Sequence, residues 1–191
     1  MNLQKLFDTQ KVLRDRIGYN GEDRFEKLIL ALLVEIGECA NEWRGFKFWS
    51  KNQKARTSLE IDCPDCNRYD THMCCTCQGH GTIELGPENP LLEEYVDGLH
   101  FVLEIGLEHG IDELIEVLAI DDLKLSSITK QFTLLFQTDW DVYEEGNGGY
   151  YHEGLELYIG LGEMLGFTWE EIENAYFEKN KVNHERQNTG Y

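Results

Sequence analysis

Two short acidic motifs sit inside segments that are otherwise almost wholly apolar. Glu35-Ile36-Gly37-Glu38 follows the run Leu28-Ile29-Leu30-Ala31-Leu32-Leu33-Val34. Glu94-Tyr95-Val96-Asp97 lies between Leu91-Leu92 and Leu99-His100-Phe101-Val102-Leu103. Runs of this kind read as buried helices, and residues three apart share a helical face. Each helix therefore carries a pair of carboxylates toward a core, where an unpaired charge costs several kcal/mol or takes up a proton. Few Lys or Arg are at hand in these segments to pair with them. A hard divalent cation held by oxygen ligands is the natural counter-charge, with Mg²⁺ foremost, and that makes the chain an enzyme. The plain alternative is a solvated helix face, because E-x-x-E alone is common; two such motifs, both embedded in apolar sequence, weigh against it.

At 191 residues the chain is long enough for one domain with a sizeable core. No stretch approaches the ~18–20 uninterrupted apolar residues of a membrane span. Met1-Asn2-Leu3-Gln4-Lys5 lacks the basic-then-apolar pattern of a secretion signal, so a cytoplasmic protein is expected. The net charge of −19 opposes contact with nucleic acid or an anionic membrane. A phosphorylated small molecule remains accessible to so acidic a protein if metal ions bridge the two.

Helical spacing over residues 3–17 ends at Gly18, and a long helix is expected from Asp23 to Arg44. A second acidic helix runs from Pro90 to Glu108, with proline suited to its first turn. A helix-and-turn segment over 112–122, a helix from Leu123 to Tyr143, a flexible loop over Glu145–Gly149 and two helices over 150–165 and 169–187 complete the pattern. Thr168 and Glu171 form a capping-box signature at the start of the last helix. These segments describe an all-α bundle whose ligands project inward from facing helices.

Residues 51–90 differ in character, with sparse apolar residues and five of the six cysteines. Cys63/Cys66 and Cys74/Cys77 form two C-x-x-C knuckles, which together complete a tetrahedral thiolate set for one structural Zn²⁺. Cys75, His72 and His80 are substitute ligands. The second knuckle resembles the C-x-x-C-x-G-x-G repeat of DnaJ-type chaperone zinc modules. The expectation is a single domain over 1–191 with a zinc-binding module inserted at 59–87, too small to fold without its metal. Cys39, alone inside the first acidic helix, reads as a small core residue.

The two acidic motifs, together with Phe46-Lys47-Phe48-Trp49, Leu6-Phe7-Asp8-Thr9-Gln10 and Tyr176 to Gln187, resemble the dimeric all-α dUTPases. These belong to the all-α NTP pyrophosphatase superfamily, beside MazG-like enzymes. The resemblance covers the chain except for about residues 51–88, and the inserted module departs from it. It implies a homodimer that hydrolyses dUTP to dUMP and pyrophosphate, with two or three Mg²⁺ held by Glu35, Glu38, Glu94 and Asp97. Glu35 is the first choice to orient or deprotonate the attacking water. Glu42, one turn beyond Glu38, reads either as support for a ligand or as a solvated carboxylate.

On the last helix Lys179, Asn183 and Arg186 follow spacings of four and three, so they share one side, where donors suit phosphate oxygens. Asn180 joins them through the resemblance alone. For the nucleoside, Gln10 offers an amide to uracil, Trp49 (or Phe48) a flat surface, and Lys47 a phosphate contact. His100 and Phe101 suit a sugar pocket that excludes a 2′-hydroxyl, though Trp49, His100 and Phe101 also suit a plain core. The rival functions are a related pyrophosphatase of other base specificity and a regulatory protein that binds a partner through its zinc module.

Overall fold

The computed structural model describes residues 2–66, 74–141 and 149–190. The first helix, α1 (Leu3–Ile17), is capped by the Asn2 side chain, which accepts from the Lys5 amide, and it ends at Gly18 with φ 62°. α2 (Arg24–Trp43) carries the first acidic motif and ends one residue before the left-handed Arg44. After a linker and a small hairpin comes α3 (Pro90–Glu108), capped by Asn89 and started by its proline. A 3-10 turn (Ile111–Glu113), α4 (Ile128–Gln137), α5 (Gly149–Met164) and α6 (Trp169–Thr189) follow. The Thr168–Glu171 capping box at the head of α6 is formed.

α3 is the axis of the bundle. It packs most extensively against α2 and also touches α1, α5 and α6. This explains its composition: its buried residues include Leu91, Tyr95, Val96, Leu99, Val102, Leu103, Ile105 and Leu107, which surround the helix instead of forming one stripe. Two tyrosines lock α3 to α5. The Tyr95 hydroxyl donates to the Tyr158 carbonyl at 3.0 Å, the Tyr158 hydroxyl donates to the Tyr95 carbonyl at 2.7 Å, and the rings stack at 4.9 Å. Each phenol is thus satisfied in a place where an unpaired hydroxyl would be costly. Among the described residues no helix is long and apolar enough to cross a membrane.

The expected helix from Leu123 to Tyr143 is much shorter. Residues 121–127 form an extended strap across α5, and α4 begins only after its Ser127 cap. The strap wins over the helix because it is tied at several points. Leu123 N donates to the Glu156 carbonyl at 3.1 Å, and the buried Gln131 amide bonds the Leu123 and Leu157 carbonyls and the Leu125 amide. Gly160 permits the close approach, since a Cβ there would lie 2.2 Å from the Leu123 carbonyl oxygen. α4 stops at Gln137, and the expected end at Tyr143 and the Glu145–Gly149 loop fall almost wholly outside the described residues.

The cysteine segment supplies the strands of the described chain. β1 (Glu60–Asp62) pairs antiparallel with β2 (Thr82–Glu84), Ile61 opposite Ile83. Neither strand contributes to the core cluster of the bundle.

Candidate active site

The acidic centre forms between α2 and α3, the two helices that pack most extensively together. Gly98 helps set that approach, because a Cβ at that position would sit 3.5 Å from the Glu35 Cβ and 2.1 Å from the Tyr158 hydroxyl. With no side chain there, Glu35 of α2 faces Glu94 and Asp97 of α3, and one oxygen from each of the three lies within 4.8 Å of the others. Glu38, one turn along α2, is exposed and shares a hydrogen bond with Glu94.

The electrostatics are those of a site short of positive charge. Burial, reinforced by the Asp97 and Glu38 charges, pushes Glu35 up to about 7, with Lys179 pulling the other way. Burial and the charges of Glu38, Asp97 and Glu35 push Glu94 up to about 7 as well. Asp97 is raised by burial despite the ammonium beside it. A cluster of partly desolvated oxygens whose charges resist one another suits a hard cation.

α6 delivers Lys179 to this centre. Its Nζ lies 2.6 Å from Asp97 and 2.8 Å from Glu93. Burial works to lower the Lys179 pKa, but its hydrogen bonds to these two carboxylates outweigh it and hold the pKa above the ordinary ammonium value. The next residue, Asn180, is buried with its Nδ2 unpartnered among the described residues.

A cavity of about 480 Å³ opens about one helical turn from the acidic centre, whose carboxylates are not among its lining residues. Its walls include Leu28 and Ala31, which precede Glu35 on α2, and His100 and Phe101, which follow Asp97 on α3. Gln10, Asn183 and Arg186 also line it. Five sequence candidates from three helices therefore converge on one space. Lys47 and Trp49 do not reach it. After α2 ends, the left-handed Arg44 turns the chain outward, and Trp49 lies 65% exposed, edge-on to Phe46 and Phe48.

Gln10 is also placed differently from a free uracil-reading amide. Its Nε2 donates to Glu104 at 2.8 Å, while its Oε1 accepts from the Tyr176 hydroxyl at 2.8 Å and lies 2.8 Å from His100 Nδ1. Sequence reasoning missed Glu104, Arg14 and Arg24. Glu104 is buried, and Arg14 and Arg24 both pair with it. The signal was available, since Glu104 is a lone charge in Phe101-Val102-Leu103-Glu104-Ile105-Gly106-Leu107.

A second cluster, Cys63, Cys66, Cys74 and Cys77, brings four sulfurs within 4.8 Å of one another. The Cys63–Cys74 and Cys66–Cys77 sulfur pairs are each 3.6 Å apart and the thiols are free, well beyond a disulfide bond. Ligands about 2.3 Å from a tetrahedral centre lie about 3.8 Å from each other, so the set can hold a metal ion. Although desolvation opposes it, hydrogen bonding from the Gly81 amide and from Cys74 and Cys66 lowers Cys77 to about 6. His80 and Cys75 are exposed, and His72 lies outside the described residues.

A family model described as dUTPase matches residues 2–67 and 83–191. The unmatched stretch, 68–82, falls in the cysteine segment. No curated protein matches the chain.

Proposed function

The chain belongs to the dUTPase family, and from that premise we propose that it hydrolyses dUTP to dUMP and pyrophosphate with the help of Mg²⁺. One observation carries the reading: the trio Glu35, Glu94 and Asp97 stands about one helical turn from a cavity of nucleoside size lined by Gln10, His100, Phe101, Asn183 and Arg186. The donor set fits the ion, being all carboxylate and deficient in positive charge. Bound there by Glu35, Glu38, Glu94 and Asp97, two or three Mg²⁺ would neutralise the phosphates and acidify a water.

The chain's own residues divide the remaining work. Glu35, whose carboxyl is already biased toward holding a proton, orients the attacking water and accepts its proton. Lys179, Asn180, Asn183 and Arg186 stand along α6 to meet phosphate oxygens, Arg186 as a planar fork and Lys179 as a point charge. Lys179 holds Asp97 until the substrate arrives. Phe101 forms the wall against C2′ of the sugar, where an extra hydroxyl would be buried without a partner.

The chain is a single domain, with residues 59–87 as an inserted module closed by one structural Zn²⁺ on Cys63, Cys66, Cys74 and Cys77. Soft thiolates select zinc and hard carboxylates select magnesium, so the two centres stay distinct. The active form is a homodimer. Leu30 and Val34 on α2 and Phe136 on α4 are 63%, 49% and 46% exposed, an apolar face that a second copy would cover. Lys47 and Trp49 lie in an exposed turn that is free to meet the substrate from outside this cavity.

The test is pyrophosphate release from dUTP, UTP, dCTP and dTTP, with Mg²⁺ and with chelator. dUTP should lead UTP by at least ~10²-fold in kcat/KM, since a site rejects an added buried hydroxyl on about that scale. Asp97→Asn and Glu38→Gln should abolish turnover while leaving the helical fold intact. Equal cleavage of all four nucleotides would move the chain to a related pyrophosphatase of other base specificity. No cleavage of any would favour a binding protein built on the same scaffold.

A further inference from the structure

The two acidic helices carry more than their carboxylate pairs. On α2, Ala31, Glu35, Glu38 and Glu42 follow at steps of four, three and four, and on α3 Pro90, Glu94, Asp97 and Phe101 do the same. Such steps keep each set on one helical face. The two stripes meet along a seam, across which Glu35 faces Glu94 and Asp97. One end of the seam, with Ala31 and Phe101, opens into the cavity described above. The other end, with Glu42, Pro90 and Glu94, opens into a second cavity of about 650 Å³. From Ala31 to Glu42 the helix axis advances about 16 Å at ~1.5 Å per residue, the scale of an extended nucleoside triphosphate.

The second cavity is walled by the linker that leads from α2 into the hairpin. Arg56 fixes this linker: its amide donates to the Glu42 carbonyl at 3.0 Å, and its carbonyl accepts from the Leu91 amide at 3.0 Å. One residue thus bridges the last turn of α2 and the first turn of α3. The Arg56 guanidinium donates to Glu42 Oε1 through Nη1 at 2.8 Å, and its other nitrogens make no hydrogen bond among the described residues. Lys54 Nζ has no partner there either, and Thr57 and Ser58 add hydroxyls to the wall. Glu42 and Glu94 therefore stand on the helix side of the cavity and Lys54 and Arg56 on the linker side. A bare anion would be repelled by the first pair and a bare cation by the second. A phosphate that carries a divalent ion satisfies both, with its oxygens toward the linker. Asn183 and Arg186 of α6 line the first cavity and not this one, so a phosphate at this end depends on the linker.

We propose that Lys54 and Arg56 are specificity residues for the terminal phosphate, through which this chain selects a nucleoside triphosphate over the corresponding diphosphate. This rests on the nucleotide-hydrolase reading above and adds the length of the phosphate chain to it. With the nucleoside in the first cavity and the α-phosphorus at the carboxylates, only a third phosphate extends to the linker. A diphosphate ends short of it and leaves both cations without an anion.

The experiment compares dUTP with dUDP on the full-length protein in Mg²⁺. Wild type should favour dUTP by at least about tenfold in kcat/KM, the scale of one charge-assisted hydrogen bond. In Lys54→Met that ratio should fall to within about threefold, and Lys54→Arg, which keeps the charge, should hold most of it. Arg56→Lys should lower it partway, because an ammonium still faces Glu42 but the fork is lost. Lys51→Met controls for long-range charge: Lys51 is exposed on the same linker and does not line the cavity, so the ratio should stay at the wild-type value. Titration calorimetry with the α,β-imido analogues of dUTP and dUDP reads the same preference as a ratio of Kd values, without turnover. A wild-type ratio near one, a ratio unchanged in Lys54→Met, or an equal fall in Lys51→Met would each overturn the proposal and leave the hydrolase reading intact. Failure of wild type to cleave either nucleotide would sink the hydrolase reading instead. The calorimetric ratio in wild type and Lys54→Met then decides by itself whether the linker holds a terminal phosphate.

Discussion

The Lys179 ammonium lies 2.6 Å from the Asp97 carboxylate, so the last helix of the chain closes on the acidic centre built by the second and third. Residues 82 apart in sequence thereby form one electrostatic unit. Lys179 also reaches Glu93 at 2.8 Å, which ties α6 to the first turns of α3.

Lys179→Met should lower turnover of dUTP by about 10²-fold, the scale for losing one charge-stabilising donor at a reacting centre. Lys179→Arg should recover only part of it, because a planar fork does not replace a point charge in so tight a space. Steady-state pyrophosphate release, with a thermal melt to confirm folding, is the measurement. Wild-type turnover in Lys179→Met would remove this residue from the site.

Gly98→Ala should destabilise the bundle by about 1–3 kcal/mol, the usual cost of overpacking a core. The new methyl would collide with the Tyr158 hydroxyl, which a Cβ meets at 2.1 Å, and break the reciprocal tyrosine lock with Tyr95. Because the same position separates Glu35 from α3, activity should fall along with stability. Denaturant melts of the two proteins decide it; a midpoint equal to wild type would contradict the packing account.

His100 predicts a loss of stability in acid. Its ordinary pKa of 6.5 is lowered to about 3 by burial and by Lys179. Between those values the unfolded chain binds a proton that the folded chain refuses. Stability is therefore full above about pH 6.5 and falls as pH drops toward 3, by at most about 1.4 kcal/mol per pH unit. His100→Gln carries no such proton, so its stability relative to wild type should rise steadily over this interval. Parallel pH profiles for the two proteins would show that His100 titrates normally in the fold.

Elemental analysis should find one zinc per chain, and Cys63→Ser/Cys77→Ser should carry none. Removing the metal should disorder the β1–β2 hairpin while the helices persist, because the hairpin strands lie outside the core cluster. Far-ultraviolet circular dichroism and hydrogen exchange over 59–87 separate local from global loss. Unfolding of the whole bundle on chelation would show that the module is part of the core.

Much of this molecule was legible one helix at a time. The all-α class, the limits of α1, α3 and α6 and the carboxylate pairs follow from spacing, caps and charge within apolar runs, all of which are local. The two C-x-x-C knuckles, Cys63/Cys66 and Cys74/Cys77, were legible for the same reason, being written in near neighbours, whereas the fold brings Cys63 against Cys74 and Cys66 against Cys77. What spacing could not supply was anything that depends on which helices meet. Leu123–Ser127 has helical character, yet the buried Gln131 amide and the passage over Gly160 hold it as a strap. Gln10 is a surface-like amide in sequence, but in the fold Glu104, Tyr176 and His100 engage it from two other helices. Trp49 sits close in sequence to the first acidic motif, but the left-handed Arg44 carries it away from the cavity. The sequence by itself determined the helices and the chemical groups each one carries, since these depend on neighbours within a turn. Only the tertiary structure decided which of those groups share a site and which way their hydrogen bonds run, because a buried donor or acceptor takes its partner from whatever element is packed against it.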